Sequence, residues 1–328
     1  MPATRKHTTY FCRSAILNGF AATVSRLGGQ PGRYLQEQGL PLSALSQQDL
    51  LLPTRDVLAL FSDTAMALDV EDLGLRLAQI RPFSTMGPIS LAMREQTSVG
   101  AALGSLAENV HIQAQGISLR VIEEGNLVFL SPVIDAAVGG PRQQPVELML
   151  AALCSLLRQF LGLQWKPHTV LFMHKAPEQS ARHLEVFGSE PLFNCDRNAL
   201  VLPRDVLSHP ITNSDPVFAK QLDQFLSSMD QRTSGGATSN TRELIAQLLP
   251  QGLASVDAVA ACMGITRRTL HRLLSREGTS YRELLQETRY QQLQDFQEAG
   301  NLQQQEIADR LGFLSSSAFS RWKRTTIS

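Results

Sequence analysis

The stretch V-A-A-C-M-G-I at residues 259–265 recurs with the same spacing as I-A-D-R-L-G-F at residues 307–313. In each copy an alanine follows a branched apolar residue, and its small side chain permits a short helix to pack closely. Gly264 and Gly312 stand at the same position in the two copies, where glycine can end a helix because it reaches positive φ without strain. Both copies are followed by a polar, basic segment. The repeat therefore predicts two units of helix, turn and helix.

The segment after the first copy, T-R-R-T-L-H-R-L-L at residues 266–274, has the pattern of an amphipathic helix that Thr266 can cap. Its leucines share one face: Leu270, Leu273 and Leu274. The opposite face is basic: Arg268, His271 and Arg272. A short helix, a glycine turn and a second helix with an outward basic face form a helix-turn-helix, whose second helix enters the major groove of DNA.

Several ordered motifs in this part of the chain resemble the AraC/XylS family of bacterial transcription regulators. They are residues 266–278, G-T-S-Y at 278–281, Arg289, E-I-A-D-R-L-G-F at 306–313 and A-F-S-R at 318–321. The resemblance implies an all-α DNA-binding domain at residues 240–328 that binds double-stranded promoter DNA through two helix-turn-helix motifs. The DNA contacts that it implies are Arg267, Arg268, His271, Arg272, Ser316, Ser317, Ser320 and Arg321.

The second unit departs from the family pattern, because Lys323 stands where the family would place an apolar residue. We expect a shift of register that turns Trp322 inward. The helix that normally covers this unit is also not recognisable in the sequence. We therefore expect the second unit to be less stable than the first, with base contacts that follow the family pattern less closely.

Composition and charge are those of a globular protein with two domains, since 328 residues with 43% hydrophobic content suffice for two cores. The net charge is zero, but residues 266–276 carry four arginines, one histidine and no acid, which suits phosphate and base contacts. Four widely spaced cysteines predict neither a disulfide framework nor a zinc site and fit a reducing, cytoplasmic location. The longest apolar runs are too short to span a bilayer.

The first part of the chain reads as an α+β domain with a small sheet and flanking helices. Helical periodicity dominates residues 12–68, and residues 117–122 and 127–133 alternate as a β-hairpin. A long apolar helix is predicted at 146–161, with shorter strands at 169–174, 192–195 and 199–202. The uncharged run T-S-G-G-A-T-S-N from Thr233 predicts a flexible linker. The expected domains are 1–232 for dimerisation and effector binding, 233–239 for the linker, and 240–328 for DNA binding.

The first domain resembles the arabinose-binding-type amino-terminal domain of one AraC subgroup, through D-L-G-L-R-L at 72–77 and R-N-A-L-V-L-P at 197–203. Members of that subgroup are not generally sugar binders. The resemblance implies a module that dimerises and binds an effector, without naming the effector. Residues 81–86 combine an arginine, an aromatic ring and two hydroxyls. This segment is either the rim of a pocket for an acidic or polar ligand or an ordinary surface loop.

These features predict a sequence-specific transcription regulator, an activator that works as a homodimer and responds to a small molecule, with RNA polymerase as a further partner. A constitutive regulator, or one controlled by a protein partner, remains an alternative. An enzyme is not expected, because no G-x-S-x-G, P-loop or H-E-x-x-H motif is present. His168, His174 and His183 lack a carboxylate at metal-ligand spacing and are interpreted as structural or surface residues. No metal or cofactor is predicted.

Overall fold

The chain divides into two compact units, Met1–Asp230 and Gln231–Ser328, in a computed structural model. The structure describes residues 10–81, 83–211, 218, 220–222, 224–226, 236–263, 267–299, 303–313 and 315–326. The first unit is α+β, and the described residues of the second unit form helices and turns without a strand. The predicted fold class is therefore confirmed.

The amino-terminal region contains a small sheet that its helical periodicity did not predict. Strand β1 (Phe11–Arg13) pairs antiparallel with β2 (Leu51–Pro53). Three helices accompany it: α1 (Phe20–Arg26), α2 (Pro31–Glu37) and α3 (Thr54–Ala67). The prediction of helices alone for residues 12–68 is wrong at both strands. Each strand has only three residues, too few for a period of two to emerge from the sequence.

Helices α4 (Leu73–Ile80), α5 (Pro88–Arg94) and α6 (Val99–Gln113) precede the main sheet. The β-hairpin is confirmed as β3 (Ile117–Glu124) and β4 (Leu127–Ile134), which pair in register from Ile117↔Ile134 to Glu124↔Leu127. The sheet has five strands in the order β3-β4-β7-β5-β6, with β5 at Thr169–Leu171, β6 at Pro191–Leu192 and β7 at Ala199–Pro203. All its pairings are antiparallel except β5 with β6. Helix α8 (Ala181–Phe187) connects that parallel pair.

Helix α7 (Gln143–Leu161) is the central helix of the first unit and packs against β4, β7, α3 and α4. It approaches α4 most closely at Gly74, where an added Cβ would lie 2.2 Å from the carbonyl oxygen of Gln144. The Gln144 side chain accepts a hydrogen bond from the Gly74 amide (2.8 Å) and donates one to the carbonyl of Glu71 (2.7 Å). Close backbone contact and two hydrogen bonds therefore lock α4 onto α7.

The D-L-G-L-R-L motif also fixes α8. Asp72 Oδ1 accepts from Arg76 Nε at 2.6 Å, and its Oδ2 accepts from Arg182 Nε of α8 at 2.5 Å. Burial alone would raise the pKa of the Asp72 carboxyl, but the two guanidinium groups outweigh burial and hold that pKa below its ordinary value. The motif thus combines a glycine for helix packing with a carboxylate that bridges two helices.

The second unit contains α9 (Gly236–Leu248), α10 (Val256–Cys262), α11 (Arg267–Arg276), α12 (Tyr281–Ala299), α13 (Gln304–Arg310) and α14 (Ser316–Thr326). Helix α9 begins inside the predicted linker, so the flexible run is corrected from residue 236 onward; residues 233–235 lie outside the described residues. The cause is Glu277, whose two carboxylate oxygens accept from the amides of Ala237 (2.9 Å) and Thr238 (2.7 Å). These bonds cap the amide groups that a helix amino terminus leaves without partners.

Candidate nucleic-acid interface

The first helix-turn-helix consists of α10 and α11, which pack on each other and on α9. Leu270 and Leu274 of α11 are fully buried, and Leu273 is half-buried. Val259, Ala260 and Met263 are buried opposite them. The predicted inner face is therefore the packed face. Gly264 and Thr266, the predicted turn glycine and helix cap, lie outside the described residues.

The basic face of α11 is exposed as the sequence predicts: Arg267, Arg268, His271 and Arg272. Arg267 differs from the others in having an acidic neighbour, because its Nη1 lies 3.4 Å from Asp257 Oδ2; its Nε also lies 3.5 Å from His271 Nε2. Among the described residues, neither Arg268 nor Arg272 has an ion pair with an acidic side chain. Two guanidinium groups on this face can therefore fork onto phosphates or base edges.

The second helix-turn-helix consists of α13 and α14. Its turn contains Gly312 at φ +67°, the left-handed conformation expected of a glycine that ends a helix. The amides of Gly312 and Phe313 donate to the carbonyls of Asp309 and Ala308, both at 3.0 Å. On α14, Ser317 and Arg321 are exposed, whereas Ser316 and Ser320 are half-buried. The Ser316 hydroxyl donates to the Gln305 side chain of α13.

Arg289 of α12 holds this second turn in place. Its Nε donates to the carbonyl oxygen of Leu311 at 3.0 Å and its Nη2 to that of Gly312 at 3.3 Å. Its guanidinium also lies 4.2 Å from the ring centroid of Phe313. Desolvation lowers the pKa of Arg289, although the neighbouring Tyr281 opposes the shift. Charged donors satisfy the carbonyls that the end of α13 leaves without helical partners.

Trp322 points inward, as the departure at Lys323 predicts. It is 9% exposed and packs with Phe319 and Phe313 at centroid distances of 6.0 and 5.3 Å. Its indole Nε1 donates to the Gln286 side chain of α12. Lys323 is half-buried. An aromatic cluster that packs on α12 therefore forms the core of the second helix-turn-helix.

Helix α12 joins the two helix-turn-helix motifs. The sequence predicts this helix over residues 281 to about 296, and it extends to Ala299. Leu284 and Leu293 are 1% exposed, and the hydroxyl of the buried Thr288 donates to the Leu284 carbonyl at 2.7 Å. Helix α9 packs on α12 and α11, while α12 contributes Leu293 to the core that contains Ala308 and Phe319. Both second helices are thus fixed to one scaffold.

The first unit contains a partly open cavity of about 320 Å³ that α7 and β3 help to line. Most of its lining is apolar and comes from α4, α6, α7 and β3, and the 81–86 segment contributes Arg81, Thr85 and Met86. Of the two readings of this segment, the pocket rim is the one that the structure supports. Arg142, which precedes α7, does not line this cavity, and its Nη1 donates to the Ile134 carbonyl at 3.1 Å.

Two of the three sequence-neighbouring histidines meet around a carboxylate that sequence spacing did not reveal. His174 Nε2 and His183 Nε2 lie 3.3 and 3.4 Å from Oε1 of Glu147, which is completely buried on α7. Phe172 and Phe193 surround the two imidazoles, while His168 is exposed and takes no part. Within the described ranges no group of three or more His, Cys, Asp and Glu could hold a metal ion.

Two helix-turn-helix units on one scaffold, in a chain that also contains an α+β unit with a mainly apolar cavity, are the features of a transcription regulator with a ligand-binding-type domain. Residues 28–211 match the family model described as the arabinose-binding domain of AraC transcription regulators, and residues 259–327 match a helix-turn-helix domain. The chain belongs to the AraC family of transcription regulators. None of the helices in the described ranges is long and apolar enough to cross a membrane.

Two regulators are similar along much of the chain. The HTH-type transcriptional regulator VirS of Mycobacterium tuberculosis is 24% identical over 312 residues, covering 94% of this chain and 92% of VirS. The Ornithine utilization regulator of Pseudomonas aeruginosa is 25% identical over 253 residues, or 76% and 74% of the two chains. The crystal structure of the transcriptional regulator CdpR from Pseudomonas aeruginosa aligns over 93% of this chain and 95% of CdpR, with 20% identity and a TM-score of 0.45.

Proposed function

We propose that this chain is a sequence-specific transcription activator that binds promoter DNA as a homodimer and is switched by a small molecule. The observation that carries the proposal is the pair of helix-turn-helix units fixed to α12, each presenting its second helix outward. Two recognition helices on one scaffold suit successive major-groove faces about one helical turn of DNA apart. The DNA-binding domain of a single chain then covers nearly two helical turns of DNA.

In the first helix-turn-helix we assign base contacts to Arg268, His271 and Arg272, and a phosphate contact to Arg267. All four side chains are exposed, and Arg268 and Arg272 have no acidic partner in the part of the chain that the structure describes, which supports this assignment. In the second helix-turn-helix we assign DNA contacts to Ser316, Ser317, Ser320 and Arg321. The exposed Ser317 and Arg321 suit this role better than the half-buried Ser316, whose hydroxyl already bonds to Gln305.

Footprinting and titration on a selected operator test the assignment. Arg272→Ala should weaken specific binding by about 1 to 3 kcal/mol and relax the preference at one base pair, if the guanidinium forks onto a guanine. Arg282→Ala is the matched control, because Arg282 is an exposed arginine on α12, outside the recognition helices. Equal affinity and equal base preference for the two variants would contradict the assignment.

For the domains, we propose that residues 1–232 dimerise and bind the effector, and that residues 240–328, together with the start of α9 from Gly236, form the part that binds DNA. To distinguish its operator from the many other sites of a genome, a regulator generally needs more DNA contacts than the recognition helices of one chain supply. This requirement favours a dimer. Sedimentation at micromolar concentration should show dimers for the full chain and for residues 1–232, and a monomer for residues 236–328. A dimeric carboxy-terminal fragment with a monomeric first domain would reverse this assignment.

Control by a small molecule is favoured over constitutive activity because the first unit contains a cavity of ligand size. An effector that binds one arrangement of the first unit better than another can switch DNA binding without altering the recognition helices. Activation implies contact with RNA polymerase and action in the cytoplasm, where the promoter lies. Transcription from a cognate promoter, measured in vitro with and without this protein, distinguishes an activator from a repressor.

A further inference from the structure

The cavity of the first unit has one formal charge among its described lining residues. Its walls are mainly aliphatic, contributed by residues such as Ile16, Leu106, Ile117, Leu119 and Leu153. The polar lining residues are neutral glutamines and hydroxyls, apart from Arg81. No aspartate or glutamate of the described chain lines this space, so the charge of Arg81 has no counterpart there.

The side chain of Arg81 forms no hydrogen bond or ion pair with any described residue. Part of its surface remains accessible, but its Nε is buried and lacks an acceptor. Burial lowers the pKa of Arg81 to about 10, so the side chain stays cationic at neutral pH. Gln113, which also lines the cavity, has a buried Nε2 without an acceptor. Buried cations in proteins are normally paired, because desolvation without a partner is costly.

We propose that the cavity binds a small amphipathic anion, whose carboxylate pairs with Arg81 while its hydrocarbon body lies against α6, α7 and β3. The inference rests on the proposed effector-controlled function and names the chemical class of the effector. A guanidinium matches a carboxylate in bidentate geometry. The Gln113 amide is a second donor for the same group. The other polar lining side chains, Gln79, Thr85, Ser118, Ser155 and Gln159, are all neutral, so Arg81 is the one charged partner that the described lining offers to an anion.

The size of the cavity points to a medium-length chain. A volume of about 320 Å³ lies at the lower end of the roughly 300 to 1,000 Å³ found for ligand pockets. Octanoate is therefore a suitable probe, within a series of straight-chain carboxylates from four to twelve carbons. 1-Octanol and octylamine have the same hydrocarbon body with no charge or with the opposite charge.

Calorimetric titration of the full-length protein tests the proposal. Octanoate should bind more tightly than 1-octanol, and octylamine should bind weakest. Arg81→Met should remove the preference for octanoate over 1-octanol, with a loss of about 10- to 100-fold in octanoate affinity and little change for 1-octanol. Arg94→Met is the control, because Arg94 is an exposed arginine at the end of α5 and should behave as the wild type.

Thermal unfolding of the same variants without ligand provides a second readout. If Arg81 stabilises the fold, Arg81→Met should lower the melting temperature. If Arg81 is an unpaired cation that serves to bind a ligand, Arg81→Met should raise the melting temperature or leave it unchanged. Octanoate should raise the melting temperature of the wild type and of Arg94→Met but not of Arg81→Met. Arg81→Met that unfolds more easily, while keeping its preference for octanoate, would overturn the proposal.

The same ligands separate this inference from effector control. If octanoate binds through Arg81 but leaves operator affinity and transcription unchanged, the cavity chemistry holds and effector control through it is wrong. If a neutral or cationic compound changes operator affinity while no carboxylate of the series binds, effector control holds and the ligand class proposed here is wrong. Octanoate that binds equally well to wild type and Arg81→Met shows hydrophobic partitioning only and refutes the role of Arg81.

Discussion

Replacement of Arg289 should unfold the second helix-turn-helix selectively. Arg289→Met keeps an unbranched apolar stem but removes both hydrogen bonds to the carbonyls of Leu311 and Gly312 and the contact of the guanidinium with Phe313. Hydrogen bonds from charged groups contribute about 1.5 to 3 kcal/mol each, and a cation over an aromatic ring about 0.5 to 1 kcal/mol. The longer 3.3 Å bond and partial exposure reduce the sum, so we expect a loss of about 2 to 4 kcal/mol.

Trp322 reports directly on this unit, because it packs on Phe313 and Phe319. Trp165 is the other tryptophan of the chain, so a Trp165→Phe background leaves Trp322 as the sole tryptophan reporter. In urea, its fluorescence transition should shift to lower concentration in Arg289→Met. The DNase footprint should shorten to the part covered by α11. A transition midpoint equal to that of the exposed control Arg282→Met would refute the anchoring role of Arg289.

Three further substitutions test the packing of each unit. Gly74→Ala should destabilise the first unit by several kcal/mol in urea unfolding, because its Cβ would meet the Gln144 carbonyl at 2.2 Å. Asp72→Asn should lower stability at pH 7 but have little effect at low pH. Because the pKa of the Asp72 carboxyl is lower in the folded protein than its ordinary value of 3.8, the ionised carboxylate stabilises the wild type above pH 3.8, and this stabilisation is lost as the pH falls through the pKa of the folded state. Glu277→Gln should cost about 0.5 to 2 kcal/mol by weakening the cap of α9, visible as faster amide exchange of residues 237–240. A glycine variant that unfolds like the wild type, a pH-independent Asp72 effect, or unchanged exchange would contradict the respective argument.

The DNA-binding unit was largely predictable, because its signals are local. The repeated alanine and glycine spacing and the leucine face of α11 follow from helix geometry within a few residues. Even the inward turn of Trp322 followed from one misplaced lysine. The start of α9 was not predictable in this way, since its cap, Glu277, lies about forty residues further along the chain.

The first unit shows the same limit more strongly. Strands β1 and β2 are each three residues long, and their pairing joins segments separated by about forty residues. Glu147 reads as one acid in an apolar helix, and only the folded chain brings it beside His174 and His183. The 81–86 segment was correctly singled out by its residue types. That Arg81 lacks a described counter-charge is a property of the packing around it, which composition does not encode.

The lock between α4 and α7 makes two walls of the cavity stiff. Both helices line the cavity, and the contact at Gly74 leaves no room for one to slide on the other. Any adjustment to a ligand must then come from the remaining walls, of which α6 is one. The first residues of α6 are tied to the following chain, because the Val99 amide donates to the His209 carbonyl at 3.0 Å and the Ile211 amide to the Thr97 carbonyl at 3.3 Å. Strain from the cavity should therefore reach residues 209–211, which follow the last strand of the main sheet along the chain.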